Sequence, residues 1–212
     1  NYMNNIELEF RAEFSIQKYD SQVELFTSIA SLHSHTQRIT IMGILEQGDT
    51  PINVRVRVTK DGMSGTVASE FVIKKGAGYA HNRIEIAQPI AFDEVTGFAK
   101  IISEIVTGEK TFFIRETYNF RTDSGIDIAL VRAQKHAYVE FEKLCSKEDE
   151  SIIKEEVLSF MRRHSFQELH ESASQDLFRR LDEHDDVVFT DYSEISEMYE
   201  GLLYQLTDSL DS

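Results

Sequence analysis

The stretch Asn5-Ile6-Glu7-Leu8-Glu9-Phe10-Arg11-Ala12-Glu13-Phe14 decides the fold. Its even-numbered residues are apolar, and its odd-numbered residues from 7 to 13 are charged. Because successive side chains on a β-strand point to opposite faces, the stretch predicts a strand with one apolar face and one face of mixed charge. A solvent-facing strand shows the same alternation, so the pattern gains weight only when it recurs.

The pattern does recur, in the stretches 54–58, 83–86 and 139–142. In each of them arginine or glutamate alternates with valine, isoleucine or phenylalanine, whereas a solvent-facing sheet would mix Thr, Ser, Lys and Gln into its polar face. The repetition predicts an α+β fold built on an eight-stranded antiparallel β-barrel, with the charges facing inward and the apolar face packed against helices. The predicted strands are 5–14, 38–46, 53–60, 66–75, 82–88, 111–120, 126–133 and 137–144.

Turn and helix signals complete the predicted domain organisation. Lys60-Asp61-Gly62 and Asp123-Ser124-Gly125 favour tight turns, and amphipathic periodicity predicts helices over 20–32 and 92–106. After Cys145 the pattern becomes helical, with apolar stripes over 152–161 and 189–210. We therefore expect a barrel domain over residues 1–145 and an acidic helical C-terminal extension over residues 146–212, which packs on or beside the barrel.

Composition and charge exclude several classes of function. The net charge is −15, and residues 143–212 contain 18 acidic and 7 basic residues, which disfavours unspecific binding to nucleic acid. The chain has no run of about 18 apolar residues and no signal-peptide pattern at its start, so we expect a cytoplasmic protein that does not bind membranes. A single cysteine excludes an internal disulfide, and no cysteine or histidine pair has zinc-ligand spacing.

Placing many charges inside a barrel costs several kcal/mol per ion unless each charge is paired or binds a ligand. The interior therefore indicates an ionic ligand. Arginine and lysine suit phosphate oxygens, and glutamates two residues apart on a strand suit Mg²⁺ or Mn²⁺. A polyphosphate bound together with a divalent metal would satisfy both sets of charges.

At this point the sequence resembles a known family. Glu7-Leu8-Glu9-Phe10-Arg11 is similar to the ExExK signature of the CYTH, or triphosphate tunnel metalloenzyme, superfamily, with arginine in place of lysine. Later motifs follow in the order of that superfamily. They are Val54-Arg55-Val56-Arg57, Phe71-Val72-Ile73-Lys74-Lys75-Gly76, Arg83-Ile84-Glu85, Ile114-Arg115 and Glu140-Phe141-Glu142. The resemblance covers residues 5 to 145.

The resemblance implies a role for each matching residue. The catalytic, metal-holding carboxylates would be Glu7, Glu9, Glu140 and Glu142, and Glu85 would orient the arginines or bind a second ion. The substrate-binding cations would be Arg11, Arg55, Arg57, Lys74, Arg83 and Arg115. Mg²⁺ or Mn²⁺ would be the cofactor, and the reaction would be in-line attack of water on the terminal phosphorus.

The chain also departs from the superfamily pattern. Arg11 replaces a lysine, and Phe113 stands where a second lysine is frequent. The stretch from Arg38 to Glu46 lacks the tyrosine- and aspartate-rich strand of thiamine triphosphatases and class IV adenylyl cyclases, which disfavours both activities. Lys74 and Lys75 lie on opposite faces of their strand, and the family pattern selects Lys74 as the inward residue.

The sequence predicts a metal-dependent triphosphatase, a phosphohydrolase acting on tripolyphosphate, a nucleoside triphosphate or the 5′-triphosphate end of RNA. A class IV-type adenylyl cyclase is one alternative. A non-catalytic polyphosphate- or nucleotide-binding module that acts through a protein partner is another. The C-terminal helices either pack on the barrel or bind a protein partner or a second copy of the chain, as in a homodimer.

Overall fold

The computed structural model describes residues 5–47, 50–75 and 84–208, which form nine β-strands and five α-helices. The strands are β1 (Asn5–Phe14), β2 (Ser31–Gln47), β3 (Thr50–Asp61), β4 (Val67–Lys75), β5 (Ile84–Ile90), β6 (Lys110–Arg121), β7 (Asp127–Arg132), β8 (Ala137–Ser146) and β9 (Val187–Phe189). The helices are α1 (Tyr19–Ile29), α2 (Val95–Ile105), α3 (Glu150–Arg163), α4 (Glu171–His184) and α5 (Ser196–Asp208).

The eight predicted strands are all present, with shifted ends. The helix predicted over 20–32 ends earlier, because Ala30 is extended, with φ −149° and ψ 160°, and β2 begins at Ser31. The turn predicted at Asp123-Ser124-Gly125 is confirmed: Gly125 has φ +82°, and the Gly125 amide donates to the Thr122 carbonyl at 2.9 Å. In the other predicted turn the glycine with positive φ is Gly65, at +74°, and not Gly62.

The prediction of a closed barrel is wrong. The strands form an antiparallel sheet in the open order β1-β8-β7-β6-β2-β3-β4-β5, with β9 paired to β6, and among the described residues β1 does not pair with β5. Each of these two strands has one local feature that is typical of an edge. Pro89 lies inside β5 and has no N–H to donate. The Arg11 carbonyl of β1 accepts a 2.8 Å hydrogen bond from the Leu169 amide, which lies in the segment before α4.

The described residues divide into two compact units. Unit 1 contains Asn1–His35 and Glu116–Asp185, and unit 2 contains Thr36–Arg115 and Asp186–Ser212. Both units combine strands from the first 145 residues with helices from the C-terminal third, and the domain boundary expected at residue 145 stays a prediction.

In unit 1 the apolar residues of the alternating strands form one core. Leu8, Phe10 and Ala12 of β1 are buried with the apolar residues of β7 and β8. Helices α1 and α3 cover this face. Phe26 of α1 is fully buried, and its ring stacks on that of Phe166, with centroids 5.7 Å apart. The apolar alternation seen in the sequence therefore faces the core of the unit, as the strand pattern requires.

In unit 2 the core lies between β2, β3, β4 and two helices. Val54, Val56 and Val58 of β3 are buried, together with Ala99 and Ile102 of α2 and Tyr199 of α5. Gly43 of β2 sits where this packing is tightest: a Cβ atom at this position would lie 2.7 Å from Cγ2 of Val106, which follows α2. Only glycine allows the strand and the helix end to approach so closely.

The helix predicted over 189–210 begins later than expected. Val187–Phe189 is the short strand β9, Tyr192–Glu194 forms one 3₁₀ turn, and α5 starts at Ser196. The carboxylate of Glu194 accepts from the amides of Thr190 and Asp191, and Asp191 accepts from the Ser193 amide at 2.9 Å. This capping box ends the strand and starts the helical turns. None of the described helices has the length and apolar character needed to cross a membrane.

We predict that Gly43→Ala lowers the free energy of unfolding by about 1–3 kcal/mol, the usual cost of overpacking a core. Gly97→Ala in α2 is the matched control, because a Cβ at Gly97 meets nothing within 4 Å. Alanine there should stabilise the helix by about 0.5–1 kcal/mol. Urea denaturation of both variants measures the difference, and equal effects of the two substitutions would contradict the close packing at Gly43.

Candidate functional site

The charged residues of β1 and β8 lie on one face of the sheet of unit 1. The strands pair so that Glu9 is opposite Glu142 and Arg11 is opposite Glu140. Residues two apart on a strand share a face, so these four side chains form a compact array of two neighbours on each strand. The other face of the same strands is the apolar core.

Three carboxylates of this array form a candidate metal site. Oxygen atoms of Glu9, Glu140 and Glu142 lie within 4.8 Å of one another. Two oxygens bound to one divalent ion at about 2.0–2.6 Å are at most about 4–5 Å apart, so the three carboxylates are close enough to share one ion after small side-chain movements. Like charges at this spacing repel by roughly 1–4 kcal/mol per pair, depending on the dielectric. A divalent cation would remove this repulsion.

Arg11 contacts two of the three carboxylates. Its Nε donates to Oε1 of Glu140 at 2.8 Å, and its guanidinium also pairs with Glu9. The guanidinium carbon lies 5.2 Å from the centroid of the Phe178 ring of α4, within the range of a cation–π contact. The side chain of Arg11 is only 18% exposed. The planar guanidinium of arginine can bind carboxylates along its edge and stack on an aromatic ring with its face at the same time. The ammonium group of lysine cannot make both contacts in this way.

Helix α4 covers part of the charged face, which the sequence reasoning did not anticipate. The two terminal nitrogens of Arg180 each donate to one oxygen of Glu13 at 2.7 Å. These bonds raise the pKa of Arg180 above its usual value. Leu177 and Leu181 are buried in a cluster with Tyr138, the residue opposite Glu13 in the β1–β8 pairing. The face is therefore covered by α4 at the Glu13 end, while Glu9 at the other end of the array is exposed.

Unit 2 contains a separate cationic strand face. Arg55 and Arg57 lie two apart on β3, and the register of β4 places Lys74 opposite Asn53, on the same face. Lys75 is opposite Ile52 and belongs to the other face, where it is exposed. The pairing thus puts Lys74, the residue selected from the family pattern, on the same face as the two arginines.

Polar partners orient these arginines. The Nε of Arg57 donates to Glu70 of β4 at 2.6 Å, and the Nε of Arg55 donates to Asn53 at 2.6 Å. Arg38 of β2 is a further cation of this face that the sequence reasoning missed, and its Nε donates to the Thr59 hydroxyl at 3.0 Å. The side chain of Arg57 is only 12% exposed. Arginines fixed in this way are ordered before any anion binds, which lowers the entropic cost of binding.

Arg115 forms a bidentate pair with an acidic residue. Its two terminal nitrogens donate to the two carboxylate oxygens of Asp186, at 2.7 and 2.8 Å. Its guanidinium also lies 4.8 Å from the centroid of the Phe113 ring. The Asp186 side chain is 4% exposed. Phe113, which departs from the superfamily pattern, therefore serves as a stacking partner for Arg115.

Three of the predicted site residues cannot be placed by their side chains. Glu7 occupies the β1 position opposite Leu144, and Glu85 occupies the β5 position opposite Lys74, but both side chains lie outside the described part of the structure. Arg83 lies outside the described residues altogether. Their roles stay predictions.

Comparison with solved structures finds clear likenesses. The PH1819 protein of Pyrococcus horikoshii OT3 aligns with 82% of this chain and 98% of its own, at 15% identity and a TM-score of 0.59. The PH1012 protein of the same organism aligns with 79% of this chain and 93% of its own, at 14% identity and a TM-score of 0.53. The chain therefore shares its fold with these two proteins, in agreement with the resemblance noted in the sequence.

At identities this low the shared feature is the fold alone. The HpAC1 protein from Hippeastrum, for which a dominant triphosphatase activity is described, aligns at 14% identity over 80% of this chain with a TM-score of 0.49. By sequence, no protein-family model and no curated protein matches the chain. The function therefore has to be argued from the side chains of the site and not from the fold.

We predict that Mn²⁺ raises the melting temperature of the protein by several degrees, because an ion present at 100 times its Kd stabilises a folded protein by about 2.7 kcal/mol. The variants Glu9→Gln, Glu140→Gln and Glu142→Gln should each lose most of this rise. Each variant is compared with and without Mn²⁺, so changes in the metal-free protein cancel.

Glu13→Gln is the control for this titration. Glu13 lies on the same strand and the same face, but Arg180 engages both of its carboxylate oxygens. This variant should keep the response to Mn²⁺. A response lost equally in Glu13→Gln and Glu142→Gln would show that the three-glutamate cluster is not the metal site.

Proposed function

We propose that the protein is a metal-dependent triphosphatase that hydrolyses a phosphoanhydride bond of tripolyphosphate, a nucleoside triphosphate or an RNA 5′-triphosphate. The observation that carries the proposal is the cluster of Glu9, Glu140 and Glu142 with Arg11, on a CYTH-like fold. Three carboxylates and one guanidinium have a formal charge of −2, which suits one divalent cation. Three neighbouring carboxylates repel one another and cost free energy of folding unless cations compensate them.

The carboxylates and the cations have complementary tasks in this reaction. Glu9, Glu140 and Glu142 would hold Mg²⁺ or Mn²⁺, and the bound ion would act as a Lewis acid that neutralises the charge of the phosphate oxygens. For Arg55, Arg57 and Lys74 the family resemblance implies that they bind the phosphates and stabilise the charge that develops on them in the transition state. Arg11 and Arg115 are proposed as further phosphate-binding cations, and Glu7, Glu85 and Arg83 keep the roles that the family resemblance implies.

The carboxylate cluster favours an enzyme over a binding module. Phosphate recognition alone needs cations and N–H donors, and acidic side chains beside them would weaken the affinity for an anion. A binding module that contacts the phosphates directly, without a metal ion, would therefore gain nothing from three neighbouring glutamates. A cyclase would use the same metal and phosphate groups, so only the reaction product separates it from a hydrolase.

We predict metal-dependent phosphate release from at least one of three substrates: tripolyphosphate, ATP and a triphosphate-ended RNA. Release should need Mg²⁺ or Mn²⁺, and Glu142→Gln should lower kcat at least about 100-fold, as the loss of a group that acts on developing charge does. Phosphate release and the formation of cyclic AMP from ATP are measured in parallel. Cyclic AMP without phosphate release would favour the cyclase, and neither product from the folded protein would overturn the enzyme.

A matched pair of lysine variants tests the phosphate-binding face. Lys74→Gln should raise KM by about tenfold, because one charge-assisted contact with a phosphate contributes about 1.5–3 kcal/mol. Lys75→Gln removes the same charge from the neighbouring position on the opposite face and should leave KM within about twofold, since an exposed charge is screened by salt. Equal effects of the two variants would contradict the assignment of Lys74.

A further inference from the structure

Arg11 occupies an unusual place among the candidate metal ligands. Its guanidinium bridges Glu9 and Glu140, two of the three carboxylates in the cluster. A carboxylate has about four lone-pair sites, and each contact with the Arg11 guanidinium takes one that a metal ion could use. In the metal-free protein, the positive charge of Arg11 therefore compensates the negative charge of these carboxylates.

Contacts on two sides hold Arg11 in this place. Glu9 and Glu140 bond to the edge of the guanidinium, and the Phe178 ring lies against it with 5.2 Å between guanidinium carbon and centroid. Phe178 belongs to α4, whose position over this face is fixed by the Arg180–Glu13 pair. The arrangement is therefore built by the helix and both strands together, and does not depend on one flexible side chain.

We propose that Arg11 is the resident counter-ion of the metal site, which a divalent ion must displace from Glu9 and Glu140 in order to bind. The inference rests on the proposed function, because the ion that displaces Arg11 is the metal of that reaction. It goes beyond it by assigning two states to Arg11. In the metal-free protein the guanidinium is bound to the carboxylates, and in the metal-bound protein it is released from them. Phe178 is a positioning residue that stabilises the first state.

The sign of one measurement decides the proposal. Free Mn²⁺ is measured by its electron paramagnetic resonance signal during titration of the full chain, with no phosphate present. Arg11→Gln should tighten the Kd for Mn²⁺ by about fivefold, because a partly buried ion pair that no longer has to be broken contributes about 1 kcal/mol. A structural role for Arg11, in which it arranges the glutamates for the metal, would instead weaken binding.

Two further variants separate displacement from a general effect of charge. Arg121→Gln removes one positive charge from the same face, where Arg121 lies opposite Asp127 and Asp127 lies opposite Glu142. Arg121 is 53% exposed, so its removal should change the Kd by less than about twofold. Phe178→Leu removes no charge, keeps a large apolar side chain, and should tighten the Kd by about twofold through the lost cation–π contact.

Each combination of results has one meaning, provided that circular dichroism and melting temperature show folded variants. Displacement is supported if Arg11→Gln binds Mn²⁺ more tightly than Arg121→Gln does and Phe178→Leu shows a smaller gain. It is also supported if Arg11→Gln binds Mn²⁺ and the wild type binds none. Binding by the wild type that Arg11→Gln does not tighten beyond Arg121→Gln overturns the counter-ion and leaves the triphosphatase standing. If neither the wild type nor Arg11→Gln binds Mn²⁺, both the counter-ion role of Arg11 and the metal-dependent triphosphatase are overturned.

Discussion

The pairing register of β1 with β8 is the constraint on which the candidate site depends. It places Glu9 opposite Glu142 and Arg11 opposite Glu140, and it places Leu8, Phe10 and Ala12 on the core face. A shift by one residue would bury the charges and expose the apolar side chains. The hydrophobic core thus fixes the positions of the charged groups. No additional interaction is needed to hold the backbone of β1 and β8 in the arrangement that the site requires.

The charged strand faces of the two units are compensated by different contacts. In unit 1 the carboxylates outnumber the cations, and a bridging arginine reduces their repulsion. In unit 2 the arginines are oriented by acidic partners, since Glu70 and Asp186 accept hydrogen bonds from Arg57 and Arg115. Phosphate groups have the charge that a face with several arginines attracts.

Much of the fold was predictable because strand alternation is a local signal. The eight strands and the two helices between them follow from the order of apolar and polar residues, and the shared face of Glu9, Arg11, Glu140 and Glu142 follows once the strands pair. Closure was wrongly predicted, since alternation says nothing about which strands are edges. Pro89 was the available signal that β5 is an edge strand. The late start of the last helix also had a signal in the sequence, the capping box of Thr190-Asp191-Tyr192-Ser193-Glu194.

The contacts of α4 could not have been predicted in the same way. Glu13 and Arg180 are 167 residues apart, and no periodicity in either segment indicates the other. The same holds for the stacking of Arg11 on Phe178 and for the pairing of Arg115 with Asp186. The sequence identified the residue types that a charged site needs, and the long-range packing decided which partner each of them has.

The separation between β1 and its partner strand also has a consequence for how the chain folds. Arg11 and Glu140 are 129 residues apart, so β1 cannot pair with β8 until that strand has been synthesised. At synthesis rates of about 5–20 residues per second, the first strand waits for about 6 to 26 seconds without its neighbour. A wholly apolar strand would be an aggregation hazard during that time, whereas charges at alternate positions oppose pairing with other nascent chains. The same charged residues that form the candidate metal site thus give β1 the alternation of charge that disfavours aggregation.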